Sequence, residues 1–475
     1  MRKGQTVSAE SRLTRRDVLQ STAAAIATVS IVPRHVLGGS GARAPSETPV
    51  VAGVGIGGVG RAQIQECAAA GFQVGALCDI DDRYAKNTFD KYPEAKRYRD
   101  FREMLATEGD RIDAVYCGTP DHTHAIISMA ALRAKKHVLT VKPLTRTIWE
   151  GRQLAEEATR AGVMTQMTAS AASTEGGCRT CEIIWDGIIG DVTEVDIWTD
   201  RPWWPHGMNR PDGRDPVPDT FDWDLWLGPA AKRPWVAEWP AGSLPLEQVV
   251  KRPSHRRAVY HPWNFRGWYD FGTGALGDMG CHHWNIPRRA LKLGHPTAVS
   301  ASSTKIMAES WPLASIITYE FPARDSMPPV KINWYDGGLM PPRPVELESD
   351  RPMPSMGIIY RGTRGVMFAD TTKRIVSVPR LLPESKMQAY TMPPKTLQRR
   401  SGIYGEWFEA VNGGEKPSEH WPDCAVPLTE LVLLGCVALR VGSYLEWDGP
   451  NMRFTNSETA NELVTPEYEN GWSLV

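Results

Sequence analysis

The sequence predicts an α/β fold that opens on a parallel sheet wound with helices. Three observations carry this expectation. From Pro49 onward, short apolar runs alternate with longer amphipathic stretches, the pattern of βαβ units. The first run ends in a glycine-rich turn. The second ends in an acid nineteen residues past the last of those glycines.

Residues 49–54 read as a strand and lead into Gly55-Ile56-Gly57-Gly58-Val59-Gly60, with a helix over 62–70. Gly55, Gly57 and Gly60 fit G-x-G-x-x-G. The first permits a tight turn, the second lets backbone N–H groups reach a pyrophosphate, and the third lets helix and strand pack closely. A second strand, 72–77, ends at Cys78-Asp79. A carboxylate there accepts hydrogen bonds from a ribose diol and repels a 2′-phosphate, so Asp79 favours NAD, with NADP left open by Arg83 nearby. The strand over 112–117 ends at Gly118-Thr119-Pro120-Asp121-His122-Thr123-His124, a helix follows over 125–134, and the strand over 137–141 closes in Lys142-Pro143. These turns lie at the carboxyl ends of parallel strands, where open α/β sheets bind ligands. His122 and His124 lack a matching cluster of Cys, His or carboxylates, so no metal is expected. Strand-like runs recur within 299–321, 330–335 and 357–368, and helices are expected over 401–412 and 427–445, the closing segment packing back onto the body.

The 475 residues are 41% hydrophobic, which suits a folded chain of two or three units. A net charge of −1 leaves no basic excess for a phosphate backbone, so nucleic acid is not an expected partner. After residue 35 no apolar run is read as reaching the ~18 residues of a membrane span. The eight Cys show no disulfide-scaffold spacing; Cys178 and Cys181 sit three apart, as two buried thiols on a helix or a redox pair would. Eleven of the 18 Trp fall between Trp185 and Trp284, a Pro-rich band expected to form long loops with flat apolar faces.

The first 45 residues differ from the rest. Arg15-Arg16 precede a weakly apolar run, 21–33, and resemble a twin-arginine signal, although Val18 and Gln20 replace the usual Phe and Lys. Ala42-Arg43-Ala44 has the form of a cleavage site, but Pro45 obstructs it. The expected organisation is a signal and linker over 1–45, a dinucleotide-binding domain over 46–170 and a second domain over 171–475.

The motifs from the glycine loop through Thr119-Pro120-Asp121-His122-Thr123-His124 to Lys142-Pro143 resemble those of the Gfo/Idh/MocA oxidoreductase family. The likeness resumes at Gly187-Ile188-Ile189-Gly190-Asp191, at Asp222-Trp223-Asp224-Leu225-Trp226, and most specifically at Gly272-Thr273-Gly274-Ala275-Leu276-Gly277-Asp278-Met279-Gly280-Cys281-His282. It implies a Rossmann domain followed by an α/β domain on an open, mostly antiparallel sheet, whose exposed face often serves assembly into dimers or tetramers. It also implies a catalytic Lys142, with Asp278 and His282 beside it, and a cofactor site of Gly55, Gly57, Gly60, Asp79, Thr119, Pro120, His124 and Lys142. The family's Glu before the Lys is Val141 here.

Oxidising a secondary alcohol needs a base for the hydroxyl proton and positive charge near the oxygen. An imidazole with a pKa near ~6.5 suits the first task, which points to His282. Asp278 lies four residues earlier and, on a helix, shares its face and can orient the ring. Lys142 supplies the charge. Trp263, Arg266, Trp268 and Tyr269 are candidates for gripping a sugar or for the core. The resulting expectation is an exported NAD(P)-dependent oxidoreductase that keeps its nucleotide and acts on a sugar, polyol or glycoside. A redox-neutral glycosidase or lyase working by transient oxidation, and a catalytically idle sugar-binding protein, are the alternatives.

Overall fold

The first sheet has six strands: β1 (Val50–Val54), β2 (Gln73–Cys78), β3 (Lys96–Tyr98), β4 (Ala114–Cys117), β5 (His137–Val141) and β6 (Thr165–Thr168). Their order is β3-β2-β1-β4-β5-β6 and every pairing is parallel. This is the doubly wound dinucleotide-binding order, in which the chain reverses direction across the sheet between β1 and β4. The computed structural model describes residues 48–169, 173–240, 257–372 and 377–474. The arginine pair, the apolar run and the cleavage candidates of the expected signal lie outside them.

Helix α1 (Gly58–Ala70) starts four residues before the expected 62, because the glycines themselves form its first turn. After β2, Asp81 caps α2 (Asp82–Lys91) by accepting from Arg83 N and Tyr84 N at 3.1 and 3.0 Å. Helices α3 (Phe101–Glu108), α4 (Asp121–Arg133), α5 (Ile148–Ala161) and α6 (Glu175–Asp186) follow. Pro120, with φ fixed near the helical value, puts the start of α4 at Asp121 rather than 125.

The second sheet contains β7 (Val192–Trp198), β8 (Ala298–Ser303), β9 (Ser315–Phe321), β10 (Val330–Asp336), β11 (Gly357–Gly362), β12 (Val366–Asp370), β13 (Arg380–Leu382), β14 (Leu445–Asp448) and β15 (Arg453–Phe454). It is ordered β13-β12-β11-β7-β10-β9-β8-β14-β15. Only β7 and β10 pair in parallel; the other pairings are antiparallel, as the resemblance implied. Helix α7 (Gly274–Ala290) lies between β7 and β8 in the chain, and α8 (Ile403–Val411) and α9 (Val426–Val441) lie between β13 and β14.

Helix α8 packs back on the first sheet, Trp407 and Phe408 meeting Phe72 with ring centroids 4.7 and 5.1 Å apart. The expected helix over 427–445 stops at Val441, where Gly442 takes a left-handed φ of 70° and Leu445 enters β14. The reading of apolar runs needs a correction here. Trp421–Val441 is 21 residues long and holds an 18-residue window of mean hydropathy 1.9, enough to cross a membrane by length and composition. That window is instead 83% buried, the helix packs on α7 and β8, and its Glu430 pairs with Arg152 at 2.9 Å. Cys178 and Cys181 are buried thiols not joined in a disulfide, and the Cys178 Sγ donates to Gln398 O at 3.6 Å.

Between β7 and α7 the Trp-rich band forms its own apolar cluster around Phe221, Trp223, Trp226, Tyr260, Trp268 and Phe271. Trp223 stacks on Trp226 at 4.9 Å, and Trp226 meets Phe271 edge-on at 4.6 Å. Flat rings fill this space with little rotamer entropy to lose, so a long segment whose helices, Trp223–Leu227 and Asn264–Gly267, are only a turn or so long still gains a core.

Candidate active site

The turn after β1 is built from backbone. Gly55 has φ 74°, and a Cβ there would meet Thr119 N at 2.7 Å. A Cβ on Gly57 would lie 2.2 Å from the Tyr84 ring, and one on Gly60 1.9 Å from Gly55 O. Gly55 therefore serves a left-handed turn and Gly60 the packing of helix on strand, while Gly57 makes room for the Tyr84 ring. Asp79 departs from its expected role. Its Oδ2 accepts from Ile56 N at 2.8 Å and Gly57 N at 3.1 Å, and its Oδ1 from Asp81 N at 3.0 Å. The carboxylate thus braces the glycine loop itself as well as lining the cleft. Burial pushes its pKa up, against the Asp81 backbone bond and the neighbouring His261.

The reactive end is built from side chains. Lys142, at the carboxyl end of β5, points its ammonium at α7: Nζ donates to Asp278 Oδ1 at 2.8 Å and to Asp278 O. Arg266 Nε donates to the same Oδ1 at 2.9 Å. Burial pushes the Asp278 carboxyl up, but the Lys142 and Arg266 charges outweigh it and hold the group well below the usual carboxylate range. The carboxylate is engaged by two cations, and its work is to hold Lys142 and Arg266. His282 lies one helical turn on and lines the same cavity. His283 also lines the cavity, but both its ring nitrogens are engaged: Nδ1 meets Met279 O and Nε2 meets Thr371 Oγ1, both at 2.9 Å, and burial takes its pKa down to about 4.

One cavity of about 530 Å³ joins the two ends. Gly55, Gly57, Asp79, Thr119, Pro120, Lys142, Asp278 and His282 all line it; Gly60 and His124 do not. His124 stands behind the wall, its Nε2 at 2.8 Å from Thr119 O and its Nδ1 at 2.9 Å from Pro143 O. It ties together the turns after β4 and β5, so it positions the site rather than touching what fills it. His122 is a strut of the same kind, with ring nitrogens on Trp226 O and Phe271 O and a pKa that burial lowers to about 3. Asp121 accepts from Thr273 N at 3.1 Å and Thr273 Oγ1 at 2.7 Å, which fastens the start of α7 to the first sheet.

Among the aromatic candidates, Trp263 and Arg266 line the cavity, the guanidinium lying 4.3 Å from the Trp263 ring centroid. Trp268 is fully buried with Nε1 on Val259 O, and Tyr269 faces a different, smaller cavity. Four lining residues were not singled out in the sequence: Arg201, stacked on the Trp203 ring at 3.4 Å, and also Trp203, Trp204 and His261. The density of Trp in this band was the available signal. His261 Nε2 is 3.2 Å from Asp81 Oδ2, and its ring stacks on Phe221 at 5.1 Å. Backbone bonds extend this seam: Asp82 N to Thr220 O and Asp222 N to Ile80 O, each 3.0 Å.

Residues 50–169 match the model of the GFO_IDH_MocA oxidoreductase family, described by an NAD-binding Rossmann fold. Inositol 2-dehydrogenase of Salmonella typhimurium is 31% identical over 146 residues, 30% of this chain and 43% of that protein. Myo-inositol 2-dehydrogenase of Thermotoga maritima is 26% identical over 148 residues, 31% of this chain and 40% of that protein. The chain thus spans less than half the length of these curated relatives. Solved structures extend the likeness in fold alone. The WlbA dehydrogenase from Bordetella pertussis, in complex with NADH and UDP-GlcNAcA, has a TM-score of 0.57 at 14% identity, covering 84% of this chain and 99% of that one. A levoglucosan dehydrogenase in complex with NADH and levoglucosan has a TM-score of 0.52 at 16% identity, with 84% and 99% covered.

The residues present fit the NAD this domain type binds. The glycine loop at the start of α1 and Asp79 at the end of β2 line the cavity, and among the described residues the buried Nε1 of Trp226, on the cavity wall, has no hydrogen-bond partner.

Proposed function

We propose that this chain is an NAD-dependent oxidoreductase acting on a secondary hydroxyl of a sugar, polyol or glycoside, with its nucleotide retained between turnovers. The observation that carries the reading is the 2.8 Å Lys142–Asp278 pair, held with His282 in the cavity that also contains the glycine loop. NAD, when bound, supplies the acceptor for the hydride. Lys142 places an ammonium where the substrate oxygen gains negative charge, favouring that charge in a partly desolvated setting. Asp278 keeps Lys142 in place and charged, and Arg266 shares it. His282 takes the hydroxyl proton. Trp203, Trp204 and Trp263 offer ring faces to sugar C–H groups, with Arg201 and Arg266 toward hydroxyls.

Retention is supported by the seam between the Trp-rich band and the segment after Asp79, where His261–Asp81 and the two 3.0 Å backbone bonds lie beside the adenosine end. The same reading has the chain exported by the twin-arginine route to a compartment without a nicotinamide pool, and assembling as a homo-oligomer. The Arg15-Arg16 motif supports export; assembly rests on the family resemblance.

The test is to purify the exported protein without added nucleotide, denature it and identify any released dinucleotide by mass spectrometry. Near-stoichiometric NAD is expected. An empty protein that also fails to bind added NAD overturns the reading and leaves a sugar-binding protein.

A further inference from the structure

A second, smaller cavity of about 40 Å³ lies on the other side of the start of α7, and no part of the proposed reaction uses it. Arg146, Tyr269, Thr273, Trp311, Cys436 and Arg440 are among its lining residues. Tyr269 is 6% exposed, and among the described residues its buried hydroxyl has no hydrogen-bond partner; the Nε of Arg146 is in the same state. Arg440 stands at the solvent edge with its guanidinium 4.7 Å from the centroid of the Tyr269 ring.

The two guanidiniums are near enough to repel: burial lowers the Arg440 pKa and the Arg146 charge lowers it further, while Tyr269 and Asp270 act the other way. Among the described residues neither makes an ion pair. The acids nearby are committed elsewhere. Asp270 pairs with Arg233, and Glu150 accepts from Thr147 N at 2.9 Å and Tyr468 Oη at 2.8 Å. Arg146 also immediately precedes the capping residue of the fourteen-residue helix α5, whose N-terminal dipole adds positive potential. Two like charges, an unanswered phenol donor and a small void beside them form a cradle lacking its counter-ion.

We propose that this cavity binds a small oxyanion of phosphate or sulfate size, held by Arg146, Arg440 and the Tyr269 hydroxyl. The void is too small for a nucleotide or a sugar phosphate. Its occupant would bear on catalysis through Thr273, which lines this cavity and hydrogen-bonds Asp121 in the wall of the large one.

The test is isothermal titration of the full chain, with NAD present, using sodium phosphate against sodium chloride at matched ionic strength. One phosphate site is expected. Arg440→Gln should weaken it about tenfold, the loss of one charge-assisted contact. Tyr269→Phe should weaken it several-fold while leaving the ring packing intact, so the test survives if Arg440→Gln folds poorly. Phosphate heats no different from chloride overturn the proposal, as does unchanged affinity in Tyr269→Phe together with Arg440→Gln.

Discussion

The two ends of the long cavity are held by different means. At the adenosine end, the carboxylate of Asp79 is satisfied by amide N–H groups of the glycine loop and of Asp81, all within one βαβ unit. At the reactive end, Lys142 and Arg266 converge on Asp278, 136 and 12 residues away in the chain, and the geometry depends on α7 docking against the first sheet. Backbone fixes one end and charge pairing across the fold fixes the other. Changes at the first should therefore cost cofactor, and changes at the second should cost chemistry.

The largest effect expected is on turnover. Lys142→Met removes the charge beside the reacting oxygen and should lower kcat about 10²–10⁴-fold with bound NAD unchanged; steady-state rates and nucleotide content read the two separately. Gly57→Val does the reverse. Its side chain collides with the Tyr84 ring, so nucleotide content after purification should fall at least about tenfold, measured by mass spectrometry against a folded far-ultraviolet spectrum.

Stability gives two further tests. Asp278→Asn leaves two cations without their carboxylate and should cost about 2–4 kcal/mol by denaturant unfolding near neutral pH. Because the folded Asp278 titrates below its unfolded counterpart, its stabilisation is present above about pH 4 and lost as pH falls further. Asp336 has the opposite sign. Buried between Trp334 Nε1 and Ser315 Oγ, it has its pKa pushed up to about 7 by burial. Protein stability should fall as pH rises from about 4 to about 7, by at most about 4 kcal/mol from this group, and Asp336→Asn should flatten that slope. The smallest effect sharpens the comparison at the seam: His261→Ala should speed NAD release about three- to tenfold without changing kcat, followed by exchange into labelled nucleotide.

How much of this was legible follows the same division. The glycine loop and four of the six strands could be read from local apolar runs and turn residues, whereas β3 and β6, three and four residues long, were too short to show a pattern. Lys142, Asp278 and His282 could be named from the family resemblance, but the partner of Asp278 could not. Helical spacing sets it one turn from His282, and packing adds the two cations, Lys142 and Arg266. His124 looked like a cofactor contact because of its place in the turn, yet its ring is used to join two turns. Arg201, Trp203 and Trp204 were hidden because a Pro- and Trp-rich loop has no period to read. The apolar run ending at Val441 carried no mark separating a core helix from a spanning one.

The central claim is that the reactive end oxidises a carbohydrate hydroxyl through Lys142 while the nucleotide stays in place. The most direct measurement mixes the protein, as purified with its nucleotide, with a panel of sugars, polyols and glycosides and follows the near-ultraviolet absorbance of reduced cofactor in a single turnover. The account predicts a rise with at least one of them in the wild type and none in Lys142→Met carrying the same amount of NAD. An equal rise in both proteins, or no rise with any carbohydrate in a wild type fully loaded with NAD, would contradict it.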